Sequence, residues 1–307
     1  MSILINLLVV LLSGVVVAGL WQHFRYLKLR RDRIDDRQPL LHSSRSFHAI
    51  TYLKVAPECE VMDDVRGLRN AIECNGGGLV VYAGLVAMNM VISKQISNDW
   101  DALLLVQYPS REDFDAFTAS DNYRKALARF ADTYTHGAQR RAGRNLGIPL
   151  MLLALRVSDR LRFKPRMLPY VPIGDEAMPQ MKAMIKETAR FDRFRHIKDD
   201  AVVIFNLIEP GNKDQQKADR SYSMKMLSGM AEGSYGPTHM GRAVTVEGDA
   251  SFRQFVAVYY PGIDHMQAML ASTFMSRIAG GKQLGDSIAL ATIPILSKLD
   301  AAAESGR

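Results

Sequence analysis

The feature that most restricts how this 307-residue chain can fold is that much of it occurs twice. WDALLLVQYPSREDFDAFTAS (Trp100–Ser120) aligns without a gap on FRQFVAVYYPGIDHMQAMLAS (Phe252–Ser272). Tyr108-Pro109 falls on Tyr260-Pro261, Asp113 on His265 and Ser120 on Ser272, all at a spacing of 152. Upstream, ITYLKVAP (Ile50–Pro57) matches VIFNLIEP (Val203–Pro210) at 153, and downstream GIPLML (Gly147–Leu152) resembles TIPILS (Thr292–Ser297) at 145. A self-similarity of this kind bounds the architecture before any element is assigned.

Each copy reads as β-α-β-β-α-β. The first strand is apolar and β-branched, His48 to Val55 or Ala201 to Ile208. A helical stretch follows, Met62–Asn75 stopped by Gly76-Gly77-Gly78, or Asp214–Glu232 stopped by Gly233. Two strands then form a hairpin, Leu79–Met90 with Trp100–Tyr108, and His239–Val246 with Phe252–Tyr260. Tyr-Pro ends the third strand, because proline cannot donate to a ladder. A second helix starts near Ser110 or Gly262, and in copy one its apolar face runs through Phe114, Phe117, Leu127 and Phe130, with His136 toward its end. The expected last strands are Pro149–Leu155 and Ile288–Leu296.

This element order, with the strand-Tyr-Pro-helix stretch, resembles the ferredoxin-like subunit of the dimeric α+β barrel superfamily. In that superfamily two four-stranded sheets pack face to face, usually from two chains. The resemblance therefore implies an α+β fold in which two βαββαβ repeats form one intramolecular pseudo-dimeric barrel, covering the apolar sheet face a single copy would expose. The division expected is an anchor at 1–22, a basic juxtamembrane segment at 23–46, repeats at 47–155 and 200–300 with a linker at 156–199 between them, and a tail at 301–307.

Ahead of the repeats, Ile3–Trp21 holds 19 residues without a charge. As a helix it spans ~28 Å at 1.5 Å per residue, close to a hydrocarbon core of ~30 Å. A cleaved signal peptide is the competitor, but it needs basic residues in front and a shorter apolar stretch. Here Arg25, Lys28, Arg30, Arg31, Arg33 and Arg37 follow the span instead. Cationic flanks stay inside, so a single-pass anchor in the inner (plasma) membrane is expected, with its N-terminus outside and the repeats cytoplasmic. Two cysteines, Cys59 and Cys74, exclude a disulfide framework and a Cys-rich zinc site.

The net charge of +7 sits outside the repeats. From Arg156 to Asp199 there are eleven basic residues against six acidic, and from Trp21 to Gln38 six against three. Near-neutral repeats argue against nucleic acid and leave an anionic inner leaflet as the expected partner of the basic stretches, unless Arg160–Arg166 is a solvated loop. Met178, Met181, Ile185 and Phe194 mark an amphipathic helix leading into the second copy.

Sharp catalytic motifs are missing: no nucleotide-binding glycine fingerprint, phosphate loop, HExxH or GxSxG is present. No two of the seven histidines have metal-ligand spacing with a third partner, so neither a metal nor any other cofactor is expected. On a helix, His136 with Arg140 one turn on could hold an anionic or enolizable ligand and act as a general base, with Tyr108 completing a catalytic group; a solvent-facing pair at a helix end is the alternative. By strand alternation Thr51 and Gln107 in copy one, and Asn206 and Arg253 in copy two, are candidate ligand-binding residues of a barrel cavity, joined by His239 and His265. The superfamily includes haem proteins with tandem copies in one chain and one axial histidine, a part His239 or His265 could play. Two functions follow. One is an accessory role, binding a partner protein or a small hydrophobic ligand at the membrane. The other is an enzyme of the superfamily's kinds, a cofactor-independent oxygenase or isomerase or, less in keeping with the motifs, a haem enzyme, acting on a lipophilic substrate.

Overall fold

The computed structural model describes residues 2–37, 42–96, 99–140, 144–174 and 179–300. Helix α1 (Ser2–Leu29) leads through one wide turn (Arg30–Ile34) to the first half-barrel, β1 (Phe47–Val55), α2 (Val61–Asn75), β2 (Leu79–Val91), β3 (Ala102–Tyr108), α3 (Arg111–Thr118), α4 (Asp121–Leu127) and β4 (Phe130–Gln139). Helices α5 (Arg144–Leu161) and α6 (Pro179–Thr188) lie between the halves. The second half is β5 (Val202–Glu209), α7 (Lys213–Gly233), β6 (Gly236–Thr245), β7 (Gln254–Tyr260), α8 (Ile263–Leu270), α9 (Thr273–Ile278) and β8 (Asp286–Pro294).

The eight strands close a barrel in the order β1-β3-β2-β8-β5-β7-β6-β4, antiparallel throughout. Each half contributes an outer-inner-inner-outer sheet, β4-β1-β3-β2 and β8-β5-β7-β6, and the halves meet where β2 pairs with β8 and β4 with β6. The pseudo-dimer is thus intramolecular, and closure leaves no sheet edge open to other strands.

Alternation along β1 sorts two cores. Ala49 and Leu53 face outward onto α2, α3 and α4, where Val65, Leu68, Phe114, Phe117 and Tyr123 cover them. Ile50 and Tyr52 face inward and join Tyr82, Leu103, Leu105, Phe205 and Phe255. At the β2–β8 seam Thr292 Oγ1 donates to Val203 O (2.7 Å) and accepts from Tyr82 Oη (2.7 Å), so two interior hydroxyls are satisfied where the halves join.

Two expectations about the first half fail together. The closing strand is Phe130–Gln139, and Pro149–Leu155 lies inside α5. The second helix is two short ones, broken where Ser120 caps α4 by accepting from Tyr123 N, so Phe130 and His136 belong to a strand. In FADTYTHGAQ the period-2 signal is carried by Tyr134, His136 and Ala138 among polar neighbours. In α5 the buried Ile148 and Leu152 recur at helical spacing. The first repeat consequently closes at Gln139. Of the linker helix, α6 is present and a short 3₁₀ turn (Ala189–Phe194) extends it, while Met178 lies outside the described residues.

Candidate functional site

Packed aromatic rings occupy the barrel interior. At one end Tyr52 stacks on Tyr134 and packs against Trp100 at ring-centre distances of 5.9 Å. In the middle Tyr82 meets Phe205 (5.0 Å), which stacks over His239 (6.5 Å). The other end is closed by the last turns of α1 and the segment that follows it. Tyr26 donates to Pro237 O, Ile34 is fully buried, and Arg37 N donates to Val81 O (2.9 Å). Arg30 reaches Asp36 Oδ2 with Nη2 (2.5 Å) and Nε (3.0 Å), and His239 Nε2 lies 3.2 Å from the same oxygen. Burial pushes Asp36 up, but Arg30 and His239 together outweigh it and hold the carboxyl below its ordinary value. Burial drives His239 down to about 3 and, with the Arg140 charge, His48 to about 2, so both rings are neutral at pH 7.

The expected site residues are dispersed. His136 faces the interior from β4: Tyr134 Oη lies 3.1 Å from its Nδ1, Phe252 meets it edge-on, and Nε2 has no hydrogen-bond partner among the described residues. Burial lowers His136 to about 4. Arg140 follows the end of β4, where its carbonyl is 3.5 Å from His42 Nε2. Tyr108 points the other way, into the layer under α3, against Phe114 and Phe117. The triad of His136, Arg140 and Tyr108 therefore does not assemble, because it presumed a helix where a strand alternates faces. Thr51 faces outward and bonds Thr135 across the strands (3.2 Å). Asn206 also faces outward, accepting from Lys282 Nζ (3.1 Å), and Arg253 is exposed ahead of β7. Gln107 and His239 do face inward, with Gln107 supporting His48. His265 sits on α8 between the rings of Tyr170 and Tyr235.

Two clefts lie outside the barrel's interior. The smaller, about 420 Å³, is lined by Gln95, Ile96, Tyr134 and Glu247–Ala250. Glu247 is exposed and accepts from Thr135 N (2.7 Å), and desolvation by its surroundings raises its carboxyl. Tyr134 thus joins this cleft to His136, a same-face i, i+2 relationship legible in the TYTH of the sequence once the strand is assigned. Glu247 carried no such signal.

The larger cleft, about 770 Å³, lies between α5, the basic turn after it, α7 and Phe274 of α9. Arg156, Arg160, Arg162, Lys164, Arg166 and Lys225 line it against two acids, Asp159 and Glu232. The acids are engaged: Asp159 pairs with Lys164 Nζ (2.5 Å) and accepts from Ser228, and Glu232 accepts from Met167 N (2.8 Å). Among the described residues Arg160, Arg162 and Arg166 make no ion pair within 4 Å, although the Arg162 charge helps to hold Asp159 below its ordinary value. Leu155, Met167, Met224, Phe163 and Phe274 supply an apolar wall.

No family model matches the sequence, and no curated protein matches it. Among solved structures, a putative monooxygenase from Lactobacillus acidophilus is 10% identical, covering 81% of this chain and 94% of its own, with a TM-score of 0.38. An anthrone oxidase-like protein is 8% identical over 82% and 92%, at 0.43. A mutant chlorite dismutase from Candidatus Nitrospira defluvii is 9% identical over 87% and 99%, at 0.41. The expectation that no cofactor binds is not supported and is withdrawn. The two histidines that the resemblance offers as axial ligands do not fit haem: His239 is sealed between Phe205 and Asp36, half-buried His265 is flanked by two tyrosine rings, and neither lines either of the two clefts described. Among the described residues no group of three or more His, Cys, Asp or Glu is placed to hold a metal.

Proposed function

We propose that this chain is a membrane-anchored α+β barrel that binds an anionic amphiphile in the cleft between α5 and α7. The observation that carries this reading is the cleft's two-sided lining, with three arginines that make no ion pair among the described residues beside a wall of Met167, Met224 and Phe274. A ligand with a charged head and an apolar tail satisfies both; a purely apolar one would leave the guanidiniums unanswered. The packed barrel interior supports an accessory, ligand-holding role over chemistry inside the barrel. Helix α1 supports the anchor: its first turns are exposed and uncharged, and basic residues follow, the flank that stays cytoplasmic. The test is calorimetric titration of the full-length protein in neutral detergent with an anionic and a zwitterionic lysophospholipid. Tighter binding of the anionic form, lost in Arg160→Glu with Arg162→Glu, is expected; equal affinity for both forms rejects the reading.

A second reading, an enzyme acting by proton transfer on a lipophilic substrate, is favoured by one observation. Tyr134 and Glu247 line the smaller cleft together, with neutral His136 behind Tyr134, and perturbed carboxyls beside a cleft are candidates for acid–base work. Carboxyl-detected NMR is expected to find a resonance titrating above the ordinary glutamate value of about 4.3 that disappears in Glu247→Gln. An ordinary titration of that group removes the reading.

A further inference from the structure

Helix α5 is apolar on two sides. One side is spent on the fold: Ile148 and Leu152 are buried, with Leu152 against Gly236 at the start of β6. The other side is largely exposed. Leu150, Val157 and Leu161 are 46%, 49% and 74% exposed, and their spacing places them along one stripe of the helix, with Met151 to one side of it. Phe163, just past the helix end, is 92% exposed and is held in a left-handed conformation (φ 52°) that bulky residues avoid. Arg160, Arg162, Lys164 and Arg166 flank it. An apolar row of this length is unusual on a water-facing surface.

The position of α5 says what covers the stripe. Its residue Leu150 packs directly on Gly19, within the last turn of the uncharged run of α1; a Cβ on Gly19 would lie 2.9 Å from Leu150 Cδ2. The stripe therefore begins at the depth where the apolar helix ends. An apolar row that starts there and ends among cations suits a path along the boundary between acyl chains and anionic headgroups.

We infer that α5 and the turn after it lie in the membrane–water interface, with the Leu150–Leu161 stripe and Phe163 among the acyl chains and Arg160, Arg162 and Arg166 on anionic lipid phosphates. This rests on reading α1 as a membrane helix, and it deepens the proposed function by setting the rim of the α5–α7 cleft on the lipid from which its ligand would come.

The test uses the full-length chain with Cys59→Ser and Cys74→Ser, spin-labelled in turn at Val157→Cys, Phe163→Cys, Val9→Cys and, as an aqueous reference, Asp121→Cys. Each is reconstituted in phosphatidylcholine vesicles with and without phosphatidylglycerol, and its accessibility to oxygen and to a water-soluble nickel chelate is measured. Labels at 157 and 163 are expected to be oxygen-accessible and shielded from nickel several-fold relative to 121. The shielding at 163 should deepen with phosphatidylglycerol and weaken when Arg160, Arg162 and Arg166 are all changed to Gln. Nickel access at 157 and 163 equal to that at 121 overturns the inference, and if Val9 is then lipid-exposed the anchor survives it. Shielding from both reagents would mean a protein surface covers the stripe and overturns it equally. Shielding indifferent to phosphatidylglycerol overturns the headgroup contact.

Discussion

The Arg30 guanidinium meets Asp36 Oδ2 at 2.5 Å with both side chains almost sealed from solvent, 3% and 2% exposed. Removing one member of such a pair strands the other charge in the protein interior. Asp36→Ala is expected to cost about 3–5 kcal/mol, read as a lowered urea midpoint of the detergent-solubilised protein. Replacing both, Arg30→Met with Asp36→Leu, should recover much of the loss. A single variant that unfolds with the parent would mean the pair is not buried.

Acid should unfold the barrel earlier than its carboxylates alone would require. His48, His136 and His239 titrate at about 2, 4 and 3 when folded, against about 6.5 when unfolded. Their folded values are depressed, so the unfolded chain takes up the extra protons and stability falls as pH drops below about 6.5. With His265, which burial lowers to about 4, four such protons give a slope of about 5 kcal/mol per pH unit between pH 6 and pH 5. Denaturation midpoints across this window measure it, and His239→Gln should flatten the slope by about a quarter.

The seam between the halves depends on one hydroxyl. Thr292→Val keeps the shape but removes the donor to Val203 O and the acceptor of Tyr82 Oη, at a cost of about 1–3 kcal/mol. Tyr82→Phe, which removes only the donor to Thr292, should cost less. The order of the two variants in thermal unfolding checks this.

Two glycines of α1 should respond differently. A Cβ on Gly14 would have open space for 4 Å around it, whereas Gly19 abuts Leu150. Gly19→Val is expected to destabilise the packing of α1 on α5 by about 1–3 kcal/mol, while Gly14→Val leaves the unfolding midpoint unchanged.

How legible these features were depends on what kind of pattern carries them. The repeat and the Tyr-Pro strand ends made the two halves readable, because the same residues must bury the same faces twice. The first copy's last strand escaped because GIPLML resembles TIPILS in composition while Pro149 sits within a helix. The true strand offers only Tyr134, His136 and Ala138 as inward residues, amid threonines, an aspartate and a glycine. Missing it moved His136 from a sheet to a helix and paired it with the wrong neighbours. Arg30 and Asp36 read as part of a basic juxtamembrane run, since burial of a charge leaves no trace in local periodicity. The arginines of the large cleft were visible as charge, but the wall opposite them comes from Met224 and Phe274, brought near only by the tertiary fold.

Helix α1 is unbroken from Ser2 to Leu29 and is keyed into the barrel by Tyr26 and Arg30. It behaves as a mast and not as a tether. A barrel mounted this way cannot swivel independently of its helix, so tilting or pulling the distal end loads the Arg30–Asp36–His239 cluster directly. With α1 in a bilayer as proposed, two such molecules would also meet with their orientations already set, in a plane instead of a volume.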